Sequence, residues 1–544
     1  MDNYNNNMPQ YNNQIPQYTS AAPNIQNTGN QQAANVTPII RGNADNFRKY
    51  GFLTAILGVI YGLLIFENHS GITHPIFMLG ALLILKFIRA KDDLSLISDC
   101  NGKKGLGIFY VVSLMLLSVH RCLTTSIPLE YLERFAMVLL LLSFMVYLYV
   151  DTTGFDISAW LSGICLAALK LIEHIDRIFS DRKAYKGVLK REGKTEKNKN
   201  IKAVLIGVAI SVPILVVIIP LLASADVVFR NIFSWLEIDI YSSIFFAARM
   251  IFMIIAVLVC SYSIITSMAS KEAMIKRRGD GSHNPVIAAT FTGILGAVYL
   301  VFCAIQFLYL FSGNVKLPEG YTYAKYAHEG FYQLLFVCII NIVMVCVCQT
   351  FFAGSKILKA MLTVIAVCTY VMIASSAMRM ILYIGAYHLT FLRLFVLWFL
   401  AVLVFLLTFL IIGMYIKKFP VFKAGMVVIT VAFIVFVYSN PEYRIAKYDL
   451  AVAANSAKEY DSVREYISEK LSYDVVPAIE DDKELLQIFI DFHVDEYYED
   501  SHLFSGHAKS EKDIIHYKYE DKYKGFRKFN FAYNYASKYM PTNK

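Results

Sequence analysis

Twelve apolar segments follow one another between Gly51 and Tyr438, at roughly 51–66, 72–88, 105–122, 134–150, 155–172, 203–223, 241–268, 286–311, 331–352, 357–383, 391–415 and 421–438. At about 1.5 Å per helical residue such runs reach across a ~30 Å hydrocarbon layer. Composition agrees: 57% of the residues are hydrophobic and 17% charged, with a mean hydropathy of +0.49. Soluble domains carry about 25% charged residues. A water-soluble enzyme is excluded, and the chain reads as an all-α polytopic transmembrane helical bundle embedded in a lipid bilayer.

The net charge of +9 divides unevenly. Residues 439–544 hold 15 Lys/Arg and 20 Asp/Glu, a net −5, which leaves +14 for the rest. Basic excess beside spans marks cytoplasmic loops, whereas an acidic tail has no attraction to nucleic-acid phosphates. The heaviest basic loop, 177–202, carries ten Lys/Arg against Asp181, Glu192 and Glu196 and is expected inside. Lys271 to Arg278, Lys356 with Lys359, and Lys417, Lys418 and Lys423 then alternate with loops of little net charge. The N-terminus is therefore expected in the cytoplasm of a multi-pass cell-membrane protein, with residues 439–544 outside.

Upstream, Lys86, Arg89, Lys91, Lys103 and Lys104 also read as inside, yet three apolar segments separate them from 177–202. An odd number would put one of these loops outside, so one segment does not cross. The expected exception is 155–172, which is short, opens on Asp156 and contains Trp160 and Lys170. An interfacial or re-entrant helix fits it. About eleven crossings remain.

Residues 1–40 contain ten Asn and six Gln, with Asp2 the only charge. Such an arm lacks the basic start and apolar core of a secretory signal and buries too little to fold. The expected division is a disordered cytoplasmic arm over 1–45, a transmembrane domain over 46–438 and an extracytoplasmic helical domain over 439–544. All nine cysteines precede Tyr438 and most lie inside apolar runs; Cys346 and Cys348 lack the spacing of a metal or redox motif. No cofactor signature, Walker loop or nucleophile elbow is present.

Ionisable groups at membrane depth are functional candidates by default. Lys86, Lys356, Lys359, Arg379 and Arg393 stand near span ends, where snorkelling accounts for them. Arg249 stands deeper and needs a partner, Asp226 or Glu237 on the adjoining outer loop being in reach only if that loop folds back. Gln306, Asn341 and Gln349 lie in neighbouring spans, where they serve as interhelical glue or as part of a transport path.

Four ordered stretches carry a family resemblance. They are Leu221-Leu222-Ala223-Ser224-Ala225-Asp226-Val227-Val228-Phe229; Tyr323 to Leu334; Ser375-Ser376-Ala377-Met378-Arg379-Met380 with Tyr383, Tyr387 and Arg393; and Asn440-Pro441 followed by Ile445 to Leu450 and Val475-Val476-Pro477-Ala478. Together, over about 200–540, they resemble bacterial membrane proteins of the domain-of-unknown-function family 4173, close to family 4153. The resemblance implies architecture and no activity. By the charge count its motifs gather at the outer face, which makes Asp226, Arg230, Lys325, His328, Glu329, Arg379, His388 and Arg393 a candidate outer polar cluster.

The tail holds 13 Tyr and three helical stretches, from Asn440 to Ala454, Asp482 to Tyr498, and near Phe526–Tyr539. Its acidic run, Asp491 to His502, lacks the second His at the spacing a zinc site needs and reads as a solvated face. Three functions stay open. A non-enzymatic envelope protein that senses or binds an envelope protein or polymer through 439–544 leads. A transporter or channel subunit built on Arg249, Gln306, Asn341 and Gln349 follows. A membrane-embedded enzyme would rest on Asp226 and His328 alone.

Overall fold

The computed structural model describes residues 42–191, 240–269, 281, 283–308, 323–416, 418–454, 457–502 and 526–540. Among them are seventeen α-helices and no named strand. The membrane part is built from α1 (Ala44–Leu64), α2 (Thr73–Ala90), α3 (Gly105–His120), α4 (Ile127–Tyr149), α5 (Ile157–Glu173) and α6 (Arg177–Arg191). It continues with α7 (Ile240–Ala269), α8 (Pro285–Gln306), α9 (Tyr323–Phe351), α10 (Lys356–Tyr387), α11 (Phe391–Tyr415) and α12 (Val421–Tyr438). Nine of these helices are long and apolar enough to cross a bilayer, and α3 is a shorter apolar helix. The chain is a multi-pass membrane protein. The expected span 203–223, the arm 1–41 and loop residues 192–202 lie outside the described residues.

Helix ends follow capping chemistry. Asn43, Asp156, Asn284 and Ser355 each accept a backbone N–H of the helix they open, which satisfies a donor the helix itself leaves free. Helix α4 starts at Ile127, seven residues before the apolar run, because Pro128 suits its first turn and Glu130 and Glu133 find cationic partners there. Gly58 and Gly62 let α1 lie directly on α7: a Cβ at Gly58 would stand 2.7 Å from the Ile254 carbonyl oxygen. This is the small-residue spacing by which membrane helices approach closely.

The loops sort into two faces. On one, the loops 65–72, 121–126 and 388–390 touch the tail. On the other, Lys49 pairs with Asp92 at 2.6 Å, Arg89 donates to the carbonyls of Ser95, Ser98 and Leu148, and His283 pairs with the backbone of Phe351 and Ala353. Helix α5 begins on this second face. Its Lys170 and Leu171 carbonyls accept the Ser263 hydroxyl, six residues from the α7 end at Ala269, or about 9 Å. Helix α6 bends away from α5 by 60°, the geometry of a broken span or of a re-entrant loop.

The tail forms α13 (Pro441–Ala453), α14 (Ala457–Lys470), a 3₁₀ turn (Tyr473–Val475), α15 (Val476–Ile479), α16 (Lys483–His502) and α17 (Phe531–Ala536). Its core is continuous with the bundle: Ile445, Val463, Ile467, Leu485 and Phe489 join Met380, Val396 and Leu400 in one buried cluster.

Candidate functional site

The junction between tail and bundle concentrates buried polar chemistry. Asn440, at φ +48°, turns the chain out of α12 and caps α13 by accepting the Tyr443 N–H. Two residues on, Glu442 accepts the Ser472 N–H at 2.7 Å and its hydroxyl at 2.6 Å. That holds the 3₁₀ turn so that Asp474 reaches the loop between α3 and α4. There Asp474 accepts the Thr124 hydroxyl at 2.5 Å and both the N–H and hydroxyl of Thr125, at 2.8 and 2.9 Å. Asp449, on α13, accepts the Leu389 N–H at 2.8 Å and ties down the loop between α10 and α11.

These acids bind protons more tightly than exposed carboxyls do. Burial, then the Asp474 charge, pushes Glu442 up to about 7. Burial pushes Asp449 up to about 6 and raises Asp474 as well. Desolvation disfavours the charged form, and the donated hydrogen bonds only partly offset it.

A strap formed by residues 526–531 completes the junction. Asn68 Nδ2 donates to the Arg527 carbonyl at 2.9 Å, the Ile72 N–H to the Phe529 carbonyl at 3.0 Å, and the Phe531 N–H to the Cys122 carbonyl at 2.8 Å. Asn530 both caps α17 and donates to the Thr124 carbonyl at 2.8 Å. Gly71, at φ +136°, makes room: a Cβ there would stand 2.9 Å from the Arg527 oxygen.

Beneath the strap lies a charged network that sequence reasoning missed. Glu133, fully buried, pairs with His120 and, at 3.5 Å, with Arg121. Glu130 faces Arg121 at 3.4 Å, Arg134 at 2.5 Å and His69 at 3.0 Å. The acid–acid–base spacing at 130, 133 and 134 was the available signal, since i, i+3 and i+4 share a helix face.

The expected outer cluster is brought together in part. Arg379 is buried on α10 against Gly330 of α9, where any Cβ would collide with the guanidinium. His388 ends α10 at φ +67°, and its carbonyl accepts from Arg393, which also donates to the Tyr387 carbonyl and lies 4.3 Å from the Tyr383 ring centre. Phe331, Tyr332, Met380, Tyr383, Thr390 and Arg393 line a small cavity of about 150 Å³ here. Lys325, His328 and Glu329 fall on the first turns of α9 rather than in a loop; their side chains, and Asp226 and Arg230, lie outside the described residues.

The polar span residues pair across helices. Asn341 of α9 accepts the Tyr299 hydroxyl of α8 at 2.8 Å and donates to Thr369 of α10 at 2.9 Å. Gln306 accepts the Ser375 hydroxyl at 2.7 Å, and Gln349 donates to the Leu410 carbonyl at 3.4 Å. Arg249 pairs with Glu67 of the loop between α1 and α2, and its side chain is 65% exposed. In the acidic run, His493 is half-buried, its ring 4.2 Å from that of Phe489 and its nitrogens at the Phe489 and Leu471 carbonyls.

Among protein families, the model described as Domain of unknown function (DUF4153) matches residues 109–481, the neighbour of the family 4173 suggested by the motifs. Neither a curated protein nor a solved structure matches the chain.

Proposed function

We propose that this chain, which belongs to the DUF4153 family of unknown function, is a non-enzymatic membrane protein of a bacterial cell envelope that binds or senses an envelope protein or polymer through residues 439–544. Its four motifs support a place in that family beside family 4173. Its N-terminus lies in the cytoplasm and its tail outside, a reading supported by the basic residues on the loops opposite the tail.

The observation that carries the reading is the docking of the tail through Asp449, Asp474 and the strap onto three loops of one face. A segment fixed at so many points is a rigid platform, and rigid surfaces bind with less entropy to lose. The platform displays exposed apolar and aromatic groups, among them Tyr448, Val452, Ile488, Phe526 and Phe531, the residue classes enriched in binding patches. Interhelical pairing of Gln306 and Asn341 supports a packing role for the polar span residues.

Two measurements test it. A C-terminal reporter that fluoresces only in the cytosol stays dark if the orientation holds; bright cells overturn it. The full-length protein, purified in detergent, captures an envelope component that is lost on Tyr448→Asp with Phe526→Asp. Capture that is equal for the two forms refutes the binding surface.

A further inference from the structure

The face opposite the tail holds a cleft of about 820 Å³. Three helices begin at its rim: α5 at its cap Asp156, α10 at its cap Ser355 and α12 after Pro420. Helix starts carry partial positive charge. Lys359, Lys418 and Lys423 line the same cleft, and Leu362, Met414 and Val421 form an apolar wall beside them.

Lys359 and Lys423 rest beside aromatic rings and Lys418 is exposed. Lys359 Nζ lies 5.7 Å from the Tyr415 ring centre and Lys423 Nζ 5.9 Å from that of Trp160, and among the described residues none of the three has a carboxylate at ion-pair distance. Asp156 is the acid in the lining, and it spends an oxygen on the Ala159 N–H at 2.8 Å. Lys103, Asp99 and Asp151 stand within electrostatic range of Lys423. Both of those acids accept N–H groups of their own turns.

Cationic heads over an apolar wall suit one kind of molecule, an amphiphile with a phosphate headgroup. We infer that the cleft lined by Lys359, Lys418 and Lys423 is a binding site for an anionic phospholipid, its phosphate among the lysines and an acyl chain along the half-buried Phe419 and Val421. Basic pockets between membrane helices recognise headgroups in this way. The flanking Ile357 and Ile416, at the ends of α10 and α11, are 65% and 56% exposed, and apolar groups beside the lysines favour a lipid over a free phosphate. The inference does not depend on which face is cytoplasmic.

The full-length protein is purified from vesicles of equal phosphatidylglycerol and phosphatidylcholine, and retained lipid is counted by native mass spectrometry. Wild type retains phosphatidylglycerol selectively, and K359Q/K418Q/K423Q loses it about tenfold or more, since each basic residue near an anionic surface contributes comparably. The control K183Q/K186Q/K190Q removes three exposed lysines of α6 on the same face and keeps wild-type retention. A photoactivatable phosphatidylglycerol labels 356–362 or 418–423 in the unmodified chain, a readout free of any folding defect. Equal loss in both variants, equal retention of the two lipids, labelling elsewhere, or displacement by glycerol phosphate as effective as by the lipid overturns the inference.

Discussion

Asp474 accepts both the backbone N–H and the hydroxyl of Thr125, 349 residues earlier in the chain. The contact closes the tail over the first four membrane helices. Replacing Asp474 by Ala strands these donors and the Thr124 hydroxyl, and each buried group left unpaired costs about 1–3 kcal/mol. The variant is expected to insert normally but to expose 441–502 to protease. Wild-type resistance would remove Asp474 as the fastener.

The junction is expected to respond to pH. Glu442 titrates near 7 and Asp449 near 6 in the folded chain, above their ordinary 4.5 and 3.8, and Asp474 is raised too. A carboxyl that holds its proton more tightly when folded adds stability that is complete below its ordinary value and disappears as pH rises through the folded one. Amide exchange in 441–453 is therefore expected to slow from about pH 8 to about pH 5 once intrinsic rates are corrected. E442Q should flatten the response. Protection that grows with rising pH contradicts the assignment.

Gly58→Leu sets a side chain against the Ile254 backbone, which has no room to retreat. A loss of about 1–3 kcal/mol is expected from such overpacking, read as a lower melting temperature in detergent. A variant as stable as wild type would show that α1 and α7 are not in close contact.

Asn341→Leu removes the bonds to Tyr299 and Thr369. Interhelical bonds of this kind contribute about 0.6–1.7 kcal/mol, so a small drop in melting temperature is expected. Should Asn341 instead line a transport path, stability would stay level and solute flux in proteoliposomes would change.

The spans were legible because apolar length is a local property: the runs at 72–88, 391–415 and 421–438 match α2, α11 and α12 within a few residues. Charge parity singled out segment 155–172, and α5 there forms, with α6, the one bent apolar helix pair among the described residues. The junction was not. Asp474 with Thr125, Asp449 with Leu389 and Glu133 with His120 are pairings between distant segments or across a turn, and single-sequence periodicity records neither. Charge misled as well: Glu130 and Glu133 read as loop because a carboxylate looks unsuited to a span until Arg121 is seen beside it. Arg249 was paired with acids nearer in sequence, whereas the packing of α1 on α7 brings Glu67 to it.

The strap has a consequence for biogenesis. Phe529 and Phe531 bond to Ile72 and Cys122, on loops between membrane helices made hundreds of residues earlier. The first two hairpins must therefore wait, inserted but unsealed, until residues 526–531 have left the ribosome, and a transcript that stops short of codon 526 would leave them open.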